Sequence, residues 1–153
     1  MKIDIFDNEI LEAFIQNNVD YFKTQFEKIE NGNKITWNWW GFFLPTIYLL
    51  YRRVYVLGLL IFLIGIFTIK IPFAGIVLGI VVGMFANYWI YQDYKKSLIK
   101  AQKRTKDKEE IINIIEKEGG VSKIVGVIAI ILIGYQVLGL VVFTIRMING
   151  YYG

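Results

Sequence analysis

The sequence predicts an all-α membrane protein: three transmembrane helices, an interfacial or re-entrant aromatic segment, and cytoplasmic amphipathic helices. Three observations carry that prediction. From Trp37 to Tyr91 only Arg52, Arg53 and Lys70 interrupt the apolar runs, and from Ile124 to Ile145 no charge occurs. A helix rising ~1.5 Å per residue needs ~20 such residues to cross ~30 Å of hydrocarbon. The 153 residues are 56% hydrophobic and 20% charged, more apolar than a soluble domain of this size. Lastly, the formal charge of +4 is unevenly spread: residues 1–36 hold four basic and seven acidic side chains, whereas 92–123 hold nine basic and six acidic.

Residues 1–36 are expected to form a cytoplasmic amphipathic helix over 7–30, because Leu11, Ile15, Val19, Phe22, Phe26 and Ile29 recur at three- and four-residue spacing. Asp7 is placed to cap it, Phe6 and Leu11 to staple it, and Glu9 and Glu12 to favour its dipole. Asn31-Gly32-Asn33 ends it. The stripe should dock on the protein's own cytoplasmic elements, with another protein or the lipid surface as alternatives. Acidic residues stand where a secretory signal would carry its positive region, so no cleavable signal is expected.

Residues 37–53 gather Trp37, Trp39 and Trp40 at one end and Arg52 and Arg53 at the other. From Trp37 to Leu50 a helix would be only ~21 Å long, and Pro45 removes a backbone donor within it. An interfacial or re-entrant segment is expected, a full span being the alternative. Residues 54–91 read as a transmembrane hairpin: Val54–Ile69 is a short first crossing, Lys70-Ile71-Pro72 the turn, and Phe73–Tyr91 the second crossing. Residues 92–123 form a basic connector. In it Asp107 and Glu110 resemble a capping box, opening a short helix with Ile111, Ile112, Ile114 and Ile115 that Gly119-Gly120 stops and that should pack on the N-terminal helix. Residues 124–153 hold the third crossing, Ile124–Ile145, then Arg146, Tyr151 and Tyr152 as terminal anchors.

Lysine and arginine bias sets orientation. With 92–123 inside, its nine basic residues join Arg52 and Arg53, against Lys70 and Arg146 outside. The expected location is a bacterial cytoplasmic (inner) membrane, multi-pass, with the basic connector cytoplasmic and the C-terminus outside. Trp37, Trp39, Trp40, Arg52, Arg53 and Trp89 are then interfacial anchors.

Gly75, Gly79 and Gly83 repeat every fourth residue and form a smooth stripe for close helix packing. A contact with the first or third crossing, self-association and a pore lining are all open, and Gly126 and Gly134 could supply the complementary surface. Asn87 and Gln136 read as interhelical glue. Lys95, Lys96, Lys100, Lys103 and Arg104 fall on roughly one face of a continuing helix and are candidates for contact with anionic lipid.

The chain has no Cys and no His, which removes disulfides, zinc sites, thiol nucleophiles and imidazole bases. No cofactor or metal site is expected. No carboxylate pair or phosphate-cradling glycine loop stands out, so no catalytic residues are named and the chain is expected not to be an enzyme. Nucleic-acid binding is not expected either, since the basic cluster lacks interleaved aromatics beyond Tyr94.

The stretches "DYFKTQF" at 20–26, "WNWWGFFLPTIYLLYRRVY" at 37–55, "GMFANYWIYQDYKKSLIKA" at 83–101 and "GGVSKIVG" at 119–126 resemble the DUF2628 family of small bacterial membrane proteins. Asn38, Trp39, Phe42, Phe43, Leu49, Leu50, Tyr51, Arg52 and Tyr55 carry the likeness. Trp40 stands where a small residue is commoner in the family, and Arg53-Val54 replaces a Lys-Met pair. The resemblance implies location and layout; it brings no catalytic residues. The expected role is that of a non-enzymatic accessory or scaffold whose contacts are the phospholipid bilayer and a membrane-protein partner. A glycine-zipper homo-oligomer forming a channel or holin-like pore is the alternative.

Overall fold

A computed structural model describes residues 4–151, apart from the side chains at 136 and 149–151. Gln136, Tyr151 and Tyr152, to which the sequence gives roles, therefore lie outside the described side chains. The chain divides into two compact units, Met1–Ser122 and Lys123–Gly153. The described residues are helical, with no strand among them. The first unit holds α1 (Asn8–Ile15), α2 (Val19–Glu30), α3 (Trp39–Phe43), α4 (Pro45–Tyr51), α5 (Tyr55–Phe67), α6 (Ala74–Arg104) and α7 (Lys108–Glu118); the second holds α8 (Lys123–Tyr151).

Among the described residues two helices are long and apolar enough to cross a membrane: α6, and α8, whose residues 124–145 carry no charge. The third expected crossing, α5, is apolar but only 13 residues long, ~20 Å as a helix.

The single helix expected over 7–30 is two helices. Asp7 caps α1 by accepting from Glu9 N and Ile10 N, as its position predicts. At Gln16 and Asn18, however, φ turns positive (60° and 62°), which breaks the helical hydrogen-bond ladder. Asparagine tolerates that conformation better than most residues. The apolar stripe then divides: Ile10, Leu11, Phe14 and Ile15 are buried on α1, which packs on α7, while Phe22, Phe26 and Ile29 are buried on α2, which packs on α6. Asp107 caps α7 through Glu109 N, and Ile111 and Ile115 are buried there.

The axis of the first unit is α6, unbroken for 31 residues. Its first half exposes Ile76, Val77, Ile80 and Val81. Its second half buries Tyr91, Tyr94, Leu98 and Ala101 beneath α1, α2 and α7, and the buried residues of those helices form the core. Phe26 is its centre, with ring centroids 5.0 Å from Tyr91, 5.8 Å from Tyr94 and 5.8 Å from Phe22. Ion pairs at the rim join Lys95 to Glu30, Lys100 to Glu118, and Lys108 to both Asp7 and Glu9.

Candidate functional site

Residues 36–52 lie against α6 as a broken hairpin. The chain enters on two backbone bonds into the carbonyls of α6, Thr36 N to Met84 O (3.2 Å) and Asn38 N to Gly83 O (2.7 Å). Asn38 Oδ1 accepts from Gly41 N and so caps α3. Pro45, with no N–H to lose, opens α4, and the peptide bends at Leu44. Small residues make the approach close. A Cβ at Gly79 would stand 2.6 Å from the Phe42 carbonyl oxygen, one at Gly83 would stand 3.1 Å from Phe42 Cβ, and one at Gly41 would stand 3.2 Å from Ala86 Cβ.

The glycine stripe is thus divided in use. Gly79 and Gly83 face α3 and Trp37 rather than the first crossing, while nothing lies within 4 Å of a Cβ at Gly75. Gly126 and Gly134 belong to α8, in the second unit.

Beneath the hairpin lies a buried network of amides and hydroxyls. Asn38 Nδ2 donates to Tyr48 Oη and to Asn87 Oδ1, both at 2.8 Å. Asn87 Nδ2 donates to Tyr21 Oη (2.9 Å) and Thr36 Oγ1 (3.2 Å), and Tyr21 Oη donates to the Trp37 carbonyl (3.0 Å). One network therefore ties α2, α4 and α6 to the entry of the hairpin. The sequence singles out Asn87 in it for helix contact and Asn38 only for the family likeness, but not Tyr21, Thr36 or Tyr48. The signal for Asn38 is an Asn directly before an aromatic helix, the residue type an N-cap prefers.

A second constellation sits where three helices end. Arg52 is buried; its Nη1 donates to Ile15 O (3.0 Å) and its Nη2 to Asn17 O (3.2 Å), with the guanidinium 4.4 Å from the Phe22 ring centroid. It thereby satisfies the carbonyls freed where α1 breaks. Arg53 Nη1 donates to Gly119 O (2.7 Å) and Lys117 O (3.4 Å), closing the end of α7. Arg53 is itself in the left-handed region (φ 61°), the position after a helix end where glycine is usual. The bonds Arg53 N to Leu50 O and Val54 N to Leu49 O complete the turn. The pair expected as interfacial anchors thus holds the ends of α1 and α7, because carbonyl ends carry partial negative charge and draw cations.

Beside these arginines opens a cleft of about 430 Å³, lined by Phe14, Arg52, Arg53, Val54, Ile90, Asp93, Lys96, Ser97, Lys100 and Glu118. Of the lysine cluster, Lys96 and Lys100 line it, whereas Lys95 is drawn off to Glu30, and Lys103 and Arg104 are exposed. Burial raises the Asp93 carboxyl above its ordinary pKa, while Lys100 holds Glu118 below its own. Among the described residues no acidic group gathers as a metal site.

The remaining anchors are tryptophans in two places, at the start of the hairpin and on α6. Trp39, Trp40 and Phe43 are 61%, 64% and 66% exposed, and Trp37 packs edge-on to Trp39 at 5.3 Å. Trp89 stacks on Phe85 at 6.1 Å.

Residues 13–96 match the family described as Protein of unknown function (DUF2628). The chain belongs to this family. No curated protein and no solved structure matches it. The DUF2628 match begins within α1 and ends within α6, so it contains the whole hairpin, the whole amide network and both arginines. Of the cleft, only Ser97, Lys100 and Glu118 lie beyond the matched stretch.

Proposed function

We propose that this DUF2628 protein is a multi-pass protein of a bacterial cytoplasmic membrane that holds a helical cap at the cytoplasmic face, as a non-enzymatic accessory or scaffold for other membrane components. In this reading α5, α6 as far as Tyr91, and α8 cross the bilayer, α3 and α4 re-enter from the cytoplasmic side, and α1, α2 and α7 form the cap.

One observation carries it: a single helix, α6, is apolar and outwardly exposed over its first half and wrapped by a packed core over its second. Water would disfavour the first half, and lipid would disfavour the charged rim of the second. Re-entry is supported by the levels at which the hairpin meets α6. Phe42 abuts Gly79 at its tip, while Arg52 and Arg53 return to the level of Ile90 and Asp93, so the segment dips ~16 Å along α6 and comes back. Commitment of Asn38, Asn87 and Arg52 to internal bonds supports a structural rather than a chemical use of the polar groups. A glycine-stripe oligomer would have only Gly75 left to pack with, since Phe42 and Trp37 cover Gly79 and Gly83.

The chain has no cysteine, so single cysteines report topology without background. Impermeant thiol reagent on intact cells should label Lys70→Cys and Gly150→Cys and leave Asp20→Cys and Lys106→Cys unlabelled until the cells are opened. The reverse pattern would overturn the orientation. For the scaffold role, a photo-crosslinking residue at exposed Glu27 should capture a distinct membrane protein in cells, and recovery of the chain alone would reject it.

A further inference from the structure

We propose that the cleft between α1, the α4–α5 junction and the second half of α6 binds a phosphate-bearing anion, carried by a lipid headgroup or free in solution. The lipid source rests on the membrane reading above; the free source does not.

The walls differ in chemistry. Phe14, Val54 and Ile90 give the cleft an apolar side, at the level where the uncharged half of α6 ends. Arg53 and Lys96 bring positive charge to it, and both keep donors in reserve. Arg53 commits only Nη1, to the carbonyls of Lys117 and Gly119. Lys96 stands a loose 3.7 Å from Asp93, and its side chain is 76% exposed.

Of the two carboxylates in the cleft, Glu118 is held by Lys100 and Asp93 stands 3.7 Å from Lys96, the ammonium the anion would share; the carbonyl ends of α1 and α7 are held by Arg52 and Arg53. A guanidinium with uncommitted donors and an exposed ammonium lining the same cleft suit a tetrahedral oxyanion, since planar fork donors pair with phosphate oxygens and an ammonium adds a point charge. The volume, about 430 Å³, lies in the range of small-molecule sites and holds a glycerophosphate headgroup. Arginine at position 53 also bears a left-handed backbone (φ 61°) that glycine would adopt without strain. Such strain persists where the side chain is put to use.

The test is the thermal midpoint of the full chain in neutral detergent, with added short-chain phosphatidylglycerol, phosphatidylcholine of the same chains, or inorganic phosphate. A ligand that binds only the folded state raises the midpoint by mass action. Phosphatidylglycerol should raise it by a few degrees. Lys96→Gln should weaken the half-saturating concentration at least threefold, while Lys103→Gln, which removes the same charge outside the cleft, should leave it unchanged. A shift from inorganic phosphate as well assigns a free anion; a shift from phosphatidylglycerol alone assigns the lipid. An equal shift from phosphatidylcholine, equal losses in the two lysine variants, or no shift with any of the three overturns the proposal. Loss of membrane association with the phosphate shift intact would instead remove the membrane reading and leave the site.

Discussion

Against its first half, α6 is met by backbone: glycines at 41, 79 and 83 let α3 lie almost in contact with it, and two amides and three hydroxyls tie the entry of the hairpin to its flank. Against its second half it is met by side chains, with Phe22, Phe26, Ile10, Leu11, Ile111 and Ile115 buried around Tyr91 and Tyr94 and ion pairs at the rim. The difference follows the solvent each half is proposed to face. In lipid there is no hydrophobic drive to bring apolar surfaces together, so association needs close van der Waals fit and hydrogen bonds. In water, burial of large apolar side chains suffices, at roughly 25 cal/mol per Å². If so, the cap should fail when volume is removed and the hairpin when volume is added.

The largest effect is expected in the cap. Phe26 is fully buried and touches three other aromatic rings, so Phe26→Ala should cost about 3–5 kcal/mol, the range for emptying a buried aromatic site. Limited proteolysis should then cut α1 and α2 readily. Because all four tryptophans lie at 37, 39, 40 and 89, their emission should shift less than the far-ultraviolet helical signal.

Next comes a methyl group added to the hairpin contact. In Gly79→Ala the new Cβ would stand 2.6 Å from a backbone oxygen, which no rotamer change can relieve. The expected loss is about 1–3 kcal/mol, read as a lower thermal midpoint and altered tryptophan emission. Gly75→Ala is the control: with nothing within 4 Å and alanine favoured over glycine in a helix by ~1 kcal/mol, it should be neutral or stabilising. Equal losses at 75 and 79 would break the comparison and point to a partner on the open part of the stripe.

Asn87→Leu sharpens it further. The substitution keeps the bulk but leaves Thr36 Oγ1 and Tyr21 Oη without their amide donor and Asn38 Nδ2 with Tyr48 alone. Unsatisfied buried groups cost about 1–3 kcal/mol each in proteins at large, but interhelical hydrogen bonds at membrane depth average only about 0.6 kcal/mol. The measured midpoint therefore reports which solvent surrounds the network.

What could be read from the sequence was the local part. The caps at Asp7 and Asp107 and the buried spacing on α2 and α7 follow from neighbours within four residues, which is the range over which periodicity and capping act, and the docking of α7 on α1 needs only that each present an apolar stripe. The break at Gln16–Asn18 does not, because the group that receives its free carbonyls, Arg52, comes from a distant helix. Likewise a glycine stripe announces close approach without naming what approaches, and α3 is too short to announce itself as the partner of Gly79. An arginine pair ending an apolar run suits headgroups and helix ends by the same chemistry; only the convergence of α1 and α7 on residues 52 and 53 distinguishes them.

The smallest effect belongs to the rim of the cap. Asp7, beside Lys108, and Glu30, which accepts from Tyr91 and then Lys95, titrate below their ordinary values of 3.8 and 4.5, as Glu118 does beside Lys100. A lowered folded-state pKa gives stability that is complete above the unfolded value and is lost as pH falls through the folded one. Acid below about pH 4.5 should therefore loosen the cap, though only slightly, because water and salt screen pairs this exposed. Asp93 has the opposite sign: burial raises its pKa, so its charge is a burden at neutral pH that protonation relieves. Asp93→Asn should accordingly raise the thermal midpoint at pH 7, with the gain shrinking as pH falls toward 4, while Glu30→Gln should lower it at pH 7 and converge on the parent protein in acid. Parallel curves for the two variants would mean that the rim charges act through packing rather than titration.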